Sequence, residues 1–466
     1  MIIFDKLIYP YAFISLILIL LFPGDEVHIS FCFWIFLMFY CMARIEKRLL
    51  LMLFAFTVFI FGMSRIVIPA YYTNDYIENS LRYSMNFGPN VHSFIARACF
   101  LSLLGALLGF NILKSKFEPS YSICIHDTFR YSRIRKAAKY LYLLSSILVI
   151  YLIYSRFSFV LAFGYMDSYI DFNNNLPTIL NKFASTNSLC LYLFLATLPS
   201  KKEARPLLII FFSISIFSLF TGGRTKFVMD LITLLIYYVL RNRLDPENPW
   251  LTRKGKILML ASLPFLVALM FIVMLVRGES SADSFSFFDM VINSVYQQGS
   301  IIEVLGISYE QSDNIPDRFW SFGRLIDSYN NNFIFQILNI GEVYKSNTAA
   351  FAIHGHSLAN YLTYTYQTKR FLSGGGMGSS FIAESWLDFG YLGIIFFSCI
   401  YGIVLSRFFY LAKKNIWFFA ISFYMVNAII YSPRAGAGDF ISDILSPTYL
   451  LLLFAIYFYS KNKSYA

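Results

Sequence analysis

Residues 374–410 read GGGMGSSFIAESWLDFGYLGIIFFSCIYGIVLSRFFY, and the change of character within this stretch decides the fold. A glycine run, Gly374 to Gly378, gives way to a short segment carrying Glu384 and Asp388. From Tyr391 to Tyr410 the side chains are almost all apolar, and Arg407 is the only charge. About twenty such residues are what an α-helix needs to cross a bilayer, where no water satisfies the backbone. Similar apolar runs lie at 7–22, 29–43, 49–68, 93–113, 140–155, 183–198, 207–221, 227–240, 257–276, 416–431 and 446–460. With 391–410 they predict an all-α polytopic membrane protein of about 12 transmembrane helices.

Composition agrees. Of 466 residues, 58% are hydrophobic and 14% charged, with 51 Phe and 34 Tyr, whereas soluble chains carry roughly a quarter charged. The run from Leu7 to Phe22 follows a single lysine and has no small-residue cleavage pattern before Pro23, so it reads as a retained helix. An even number of spans places both termini on one side. With the termini inside, 23 of the 38 basic residues fall in short inner segments, including Arg44, Lys47 and Arg48, seven from Lys114 to Lys139, and five from Arg241 to Lys256. The long outer segment carries six basic and eleven acidic residues. The positive-inside rule therefore gives an N-in, C-in chain. It divides into a membrane domain over 1–276 with nine spans, one long outer loop over 277–390, and a membrane domain over 391–466 with three spans. Topology and anionic lipid account for the formal charge of +11, so no nucleic-acid partner is expected. None of the six cysteines falls in an outer loop, which implies no disulfide framework and fits a bacterial inner membrane.

Three glycine-rich breaks stand on the outer side of this arrangement, each ahead of an apolar run: Thr221-Gly222-Gly223-Arg224-Thr225-Lys226, Gly374 to Ser380, and Arg434-Ala435-Gly436-Ala437-Gly438-Asp439. A helix start preceded by glycines and flanked by arginine favours an anion, because free N–H groups and the helix dipole point at it. Arg224, Lys226, Arg434 and Arg277, just past the ninth span, are the candidate cations for a phosphate-bearing lipid. An ion pair between Arg434 and Asp439 across the turn is the structural alternative, as is one between Lys226 and Asp230. On a helix Ser380, Glu384 and Asp388 share a face. Glu384 is the candidate general base, while capping would explain the serines and carboxylates without chemistry. His354-Gly355-His356 supplies two more proton acceptors near neutral pH. Two histidines do not make a zinc site, and no HExxH or DxD motif is present, so no metal or cofactor is expected. The outer loops near 69–92 and 156–182 are rich in Tyr and Asn (Tyr71, Tyr72, Asn74, Tyr76; Asn173 to Asn175), residue types that suit sugars or an interfacial aromatic belt.

The Gly-Gly-Arg before a span, the long outer loop, and the G-x-x-x-x-x-E-x-W-x-D-F-G-x-x-G stretch from Gly378 to Gly393 together resemble the O-antigen polymerase (Wzy) family. The resemblance implies a glycosyltransferase-type polymerase that joins oligosaccharide repeat units carried on undecaprenyl diphosphate at the periplasmic face. It needs neither nucleotide sugar nor metal, and it implies a chain-length regulator and a flippase as partners. The outer arginines would bind the diphosphate, and Glu384, His354 or His356 would take the proton of the attacking hydroxyl. A flippase or exporter of lipid-linked sugars, or an O-antigen ligase using the same donor, are the competing readings. A flippase would carry more charge within its spans and short loops on both sides.

Overall fold

The computed structural model describes residues 2–83, 87–112, 129–164, 168, 172–221, 224–252, 254–255, 257, 286–330, 344 and 347–461. Every regular element among them is helical. Eleven of the apolar runs lie on helices; the run at 257–276 falls outside the described residues except for Ile257. Among the described residues six helices are long and apolar enough to cross a membrane: Ile3–Leu21, Ile45–Tyr71, Pro89–Ile112, Arg130–Phe163, Phe381–Leu411 and Ile416–Arg434. The chain is a multi-pass membrane protein. Helices overrun the apolar runs where their flanks are good helix formers. The run at 140–155 sits inside Phe129–Phe163, whose first turns hold Arg130, Arg133, Arg135, Lys136 and Lys139.

The chain divides into two compact units, each described by itself. The first comprises Met1–Glu118, Ser262–Ser406 and Ala428–Asp439. Its central seam is built by small residues. A Cβ at Gly109 would stand 1.9 Å from the Cys399 carbonyl oxygen, and one at Gly402 would stand 2.2 Å from that of Ala106. Glycine lets the Pro89–Ile112 and Phe381–Lys414 backbones touch, which is how helices associate when lipid and side chain are equally apolar. The Phe381–Lys414 helix is itself sharply bent. Gly390 has φ 61° and ψ −152°, a conformation costly for any residue with a Cβ. The bend brings the Ser385 carbonyl to within 2.1 Å of where a Gly393 Cβ would be. The Asp388-Phe389-Gly390-x-x-Gly393 spacing therefore marks a fold-back, which sets the short 381–389 arm apart from the run that follows.

Several charges among the described residues of this unit are paired. Asp5 forms ion pairs with Arg44 (2.6 Å) and with the buried Arg48, whose guanidinium also lies 3.6 Å over the Tyr40 ring. Glu26, buried, pairs with Arg97 at 2.5 Å and accepts from Ser93 and the Gly24 amide. Within the 277–390 segment the chain forms the Phe287–Gln298 helix, started by a Ser286–Asp289 capping box. Its apolar face joins Ile68, Ile77 and Tyr296 in one cluster. Asp289 accepts from the Tyr72 hydroxyl and from Asn74 (3.0 Å), and Gln297 donates to Tyr76. Hydrogen bonds from Tyr72, Ser286 and Asn74, in that order of weight, hold the Asp289 carboxyl down at about 2. Tyr72, Asn74 and Tyr76 thus fasten their segment to this helix.

The second unit comprises Pro119–Ala261, Arg407–Asn427 and Phe440–Ala466. Asn187 donates to Ser145 and Ser146, both at 2.9 Å, knotting Asn187–Ala196 to Phe129–Phe163. A Ser200–Glu203 capping box starts Lys201–Phe220. Thr233 donates to Asn427 at 2.9 Å, and Arg241 lies over the Trp250 ring.

Leucine at Gly109 or Gly402 is expected to cost about 1–3 kcal/mol or more through overpacking. It should lower the thermal unfolding temperature in detergent, whereas Gly88→Ala, with no atom within 4 Å of its Cβ, should leave it unchanged.

Candidate functional site

In the first unit the second and third glycine breaks meet at Glu384. The 381–389 arm begins just after Ser379 and Ser380, both buried, and Glu384 lies within its first turn. One carboxylate oxygen of Glu384 accepts from the Ser379 hydroxyl at 2.6 Å, and the other accepts from the Ala437 amide at 2.7 Å. Asp439 accepts from the Gly436 amide at 3.1 Å. A Cβ on Gly436 would stand 3.0 Å from one Glu384 oxygen and 3.2 Å from an Asp439 oxygen. Two carboxylates thus flank one glycine, and a side chain there would press on them and require them to shift. The Tyr401 hydroxyl donates to the Ala437 carbonyl at 2.7 Å, fixing the turn from the bent helix's second arm.

The loop over 318–323 completes the wall. Asp388 accepts from the backbone amides of Trp320 (2.9 Å) and Ser321 (2.8 Å), so the second carboxylate of the arm anchors this loop. Gly438 packs on Ser321 and Phe322. Asp439 pairs with Arg324 at 3.3 Å, an arginine whose side chain is half exposed. The structural alternative, an Arg434–Asp439 pair across the turn, is not what forms: Asp439 pairs with Arg324.

Arg434 turns instead to Gln298, donating at 3.1 Å, with its guanidinium 5.7 Å from the Phe61 ring centroid. Its polar partner is a neutral amide, and among the described residues no carboxylate pairs with it. Arg65 docks on the same turn. It donates to the Tyr296 carbonyl at 3.3 Å, stands 3.5 Å from Glu303, and packs against Gly299. A π-helical segment, Phe59–Met63, precedes it and shifts the face on which it emerges. Sequence reasoning missed Arg65, although a lone arginine inside an apolar run was a usable signal. The π segment that aims it carried none.

The histidines part company. His354 is exposed, its ring stacked on Tyr344 at 5.4 Å. His356 faces Asp327. Its backbone amide donates to an Asp327 oxygen at 2.9 Å, and its Nδ1 lies 3.4 Å from the same oxygen. Burial pushes the Asp327 carboxyl above its ordinary range, against the lowering effect of the His356 amide and imidazole. Neither histidine hydrogen-bonds to Glu384. Among the described residues no three metal-ligating side chains converge.

The family model described as "O-antigen polysaccharide polymerase Wzy" matches residues 1–463. The chain belongs to the Wzy family. No curated protein and no solved structure matches it. Wzy membership makes the chain a polysaccharide polymerase, carrying out a glycosyltransferase-type reaction on lipid-linked repeat units in the membrane.

The remaining candidate cations of this Wzy chain lie elsewhere. Arg224 opens the Arg224–Leu244 helix of the second unit. Lys226, in the same turn, pairs with Asp230 at 2.6 Å, the local ion pair that i, i+4 spacing allows. Arg277 lies outside the described residues.

Replacing Asp388 with alanine leaves two backbone amides without their acceptor and should cost about 1–3 kcal/mol. A lower unfolding temperature, with Glu384 and Arg434 chemically untouched, would show that this carboxylate is an anchor.

Proposed function

We propose that this chain joins repeat units carried on undecaprenyl diphosphate, at the periplasmic face of a bacterial inner membrane. The apolar runs support about twelve spans, and the distribution of basic residues supports both termini inside and the 277–390 loop outside. A sugar hydroxyl of one lipid-linked unit attacks the anomeric carbon of the glycan on another. The carbon–oxygen bond to the diphosphate breaks, the diphosphate leaves with the electron pair, and the hydroxyl proton passes to a base. No nucleotide sugar, metal or cofactor enters the balance. A flippase supplies the substrate, and a chain-length regulator sets when growth ends.

The observation that carries this reading is Arg434, a half-buried guanidinium with a neutral partner, on the turn that Glu384 holds in place. A leaving diphosphate supplies the missing negative charge, and guanidinium gives two parallel hydrogen bonds to it. Stabilising charge that develops on the leaving group is the largest contribution such a site makes. Arg224, Lys226 and Arg277 are proposed as further contacts to phosphate.

Of the three expected proton acceptors, His356 fits best, since a carboxylate sits beside its Nδ1 and its side chain is partly exposed. Glu384 is the second reading, favoured by the neighbouring Asp439. Both Glu384 oxygens are occupied, however, so the carboxylate reads first as a clasp. Glutamine separates the two. Its amide oxygen can still accept from Ala437, and its NH2 can donate to the Ser379 hydroxyl, so a clasp survives Glu384→Gln and a base does not.

In a strain lacking this chain, Arg434→Ala should restore about 100-fold less polymer than the parent gene, the size expected for one lost charge-stabilising donor. Arg434→Lys should recover part of it. Parental polymer from Arg434→Ala, at equal protein level, would remove the diphosphate role.

A further inference from the structure

We propose that Asp327 is a positioning residue for polymerisation: it orients the His356 imidazole so that Nε2 meets the attacking hydroxyl. This rests on His356 being the base.

The mount around His356 is over-determined. Asp327, on the Gly323–Asn330 helix, binds the His356 amide at 2.9 Å and lies 3.4 Å from Nδ1. Arg318 holds the preceding Gly355 carbonyl at 2.7 Å. A Cβ at Gly323 would stand 1.7 Å from the His356 carbonyl oxygen, so that helix start presses directly on the histidine backbone. The backbone is thus held from two sides, and the side-chain torsions of the ring are left to settle. Two buried atoms, Asp327 Oδ2 and His356 Nδ1, lack a partner in full hydrogen-bond geometry, although the Ser357 amide and the His356 imidazole both act on the Asp327 carboxyl. Such atoms are uncommon and usually have a reason. Closing the 3.4 Å gap by a small ring rotation, as catalytic hydrogen bonds do when substrate binds, would satisfy Nδ1. With its proton on Nδ1 directed at the carboxylate, the imidazole presents a lone pair at Nε2. The carboxylate then favours the imidazolium that forms when the hydroxyl gives up its proton.

The same short loop ties the pair to the clasp. Gly323 touches His356, and its neighbour Arg324 pairs with Asp439, which flanks Gly436 opposite Glu384. The charged groups around His356 are Asp327 on the Gly323–Asn330 helix, Arg318 through the Gly355 carbonyl, and Arg324 beside Gly323. His354, two residues back, is stacked on Tyr344. Among the described residues Asp327 is the acid beside the ring.

The test uses the full chain in detergent with lipid-linked repeat units isolated from a strain lacking it. Asp327→Asn should lower kcat about 100-fold, the size expected when general-base catalysis is impaired, with KM little changed. The acidic limb of the pH–rate profile should move to lower pH, because a neutral amide no longer favours the imidazolium. Asp327→Glu should restore the parental profile. His356→Ala should be as slow as Asp327→Asn, and the double variant no slower, since residues acting as one unit are not additive. Should Asp327→Asn fail to accumulate, the Glu variant and the pH dependence of His356 acylation by diethyl pyrocarbonate, read by mass spectrometry, carry the same comparison. Full activity with an unshifted profile in Asp327→Asn, alongside a dead His356→Ala, overturns the positioning role alone. An active His356→Ala overturns the base assignment itself.

Discussion

Two hydrogen bonds to one carboxylate hold the first unit's candidate site together. Glu384 takes the Ser379 hydroxyl and the Ala437 amide, bridging segments 53 residues apart in sequence. Without them, the Gly436 turn and the 381–389 arm would each present unpaired polar groups in an apolar setting, which costs more than an ordinary hydrogen bond returns. The arrangement admits little variation. Gly436 leaves space for the carboxylates, Gly390 allows the bend, and Gly393 accepts the returning Ser385 carbonyl. The direction in which Arg434 points depends on this turn.

The same principle applies to several other charges among the described residues. Ion pairs such as Asp5 with Arg48, Glu26 with Arg97, and Lys226 with Asp230 join charges at or near apolar helices. A lone charge there is expensive and is retained where it has a partner or a task. Arg434 departs from that pattern. Its guanidinium is half-buried beside an amide and an aromatic ring, and this is the physical reason to look for an anion.

Much of the fold was legible because a membrane span is written locally: a run of apolar residues, ended by glycine or charge. The three breaks were legible for the same reason, and two of them meet as a site. What stayed hidden was non-local. The Arg434–Asp439 pair was the obvious choice by proximity in sequence, yet Arg324, more than a hundred residues away, takes the acid. Asp388 shares a helical face with Glu384, but its partners, Trp320 and Ser321, lie in a loop whose path no local pattern gives. Arg65 depends on a π segment without a sequence signature. His354 and His356 look equivalent as a pair, and only the fold sets Asp327 beside one of them.

Family membership makes the chain a polysaccharide polymerase, and the act proposed for it is the transfer of a growing glycan from a lipid diphosphate to a sugar hydroxyl. The most direct test is the surface polysaccharide ladder of a strain lacking this chain, run beside its parent. Polymerase activity predicts that the ladder disappears while a band for the core plus a single repeat unit remains. Complete loss of repeat units, with lipid-linked units accumulating on one face of the membrane, would contradict it and point to export or ligation.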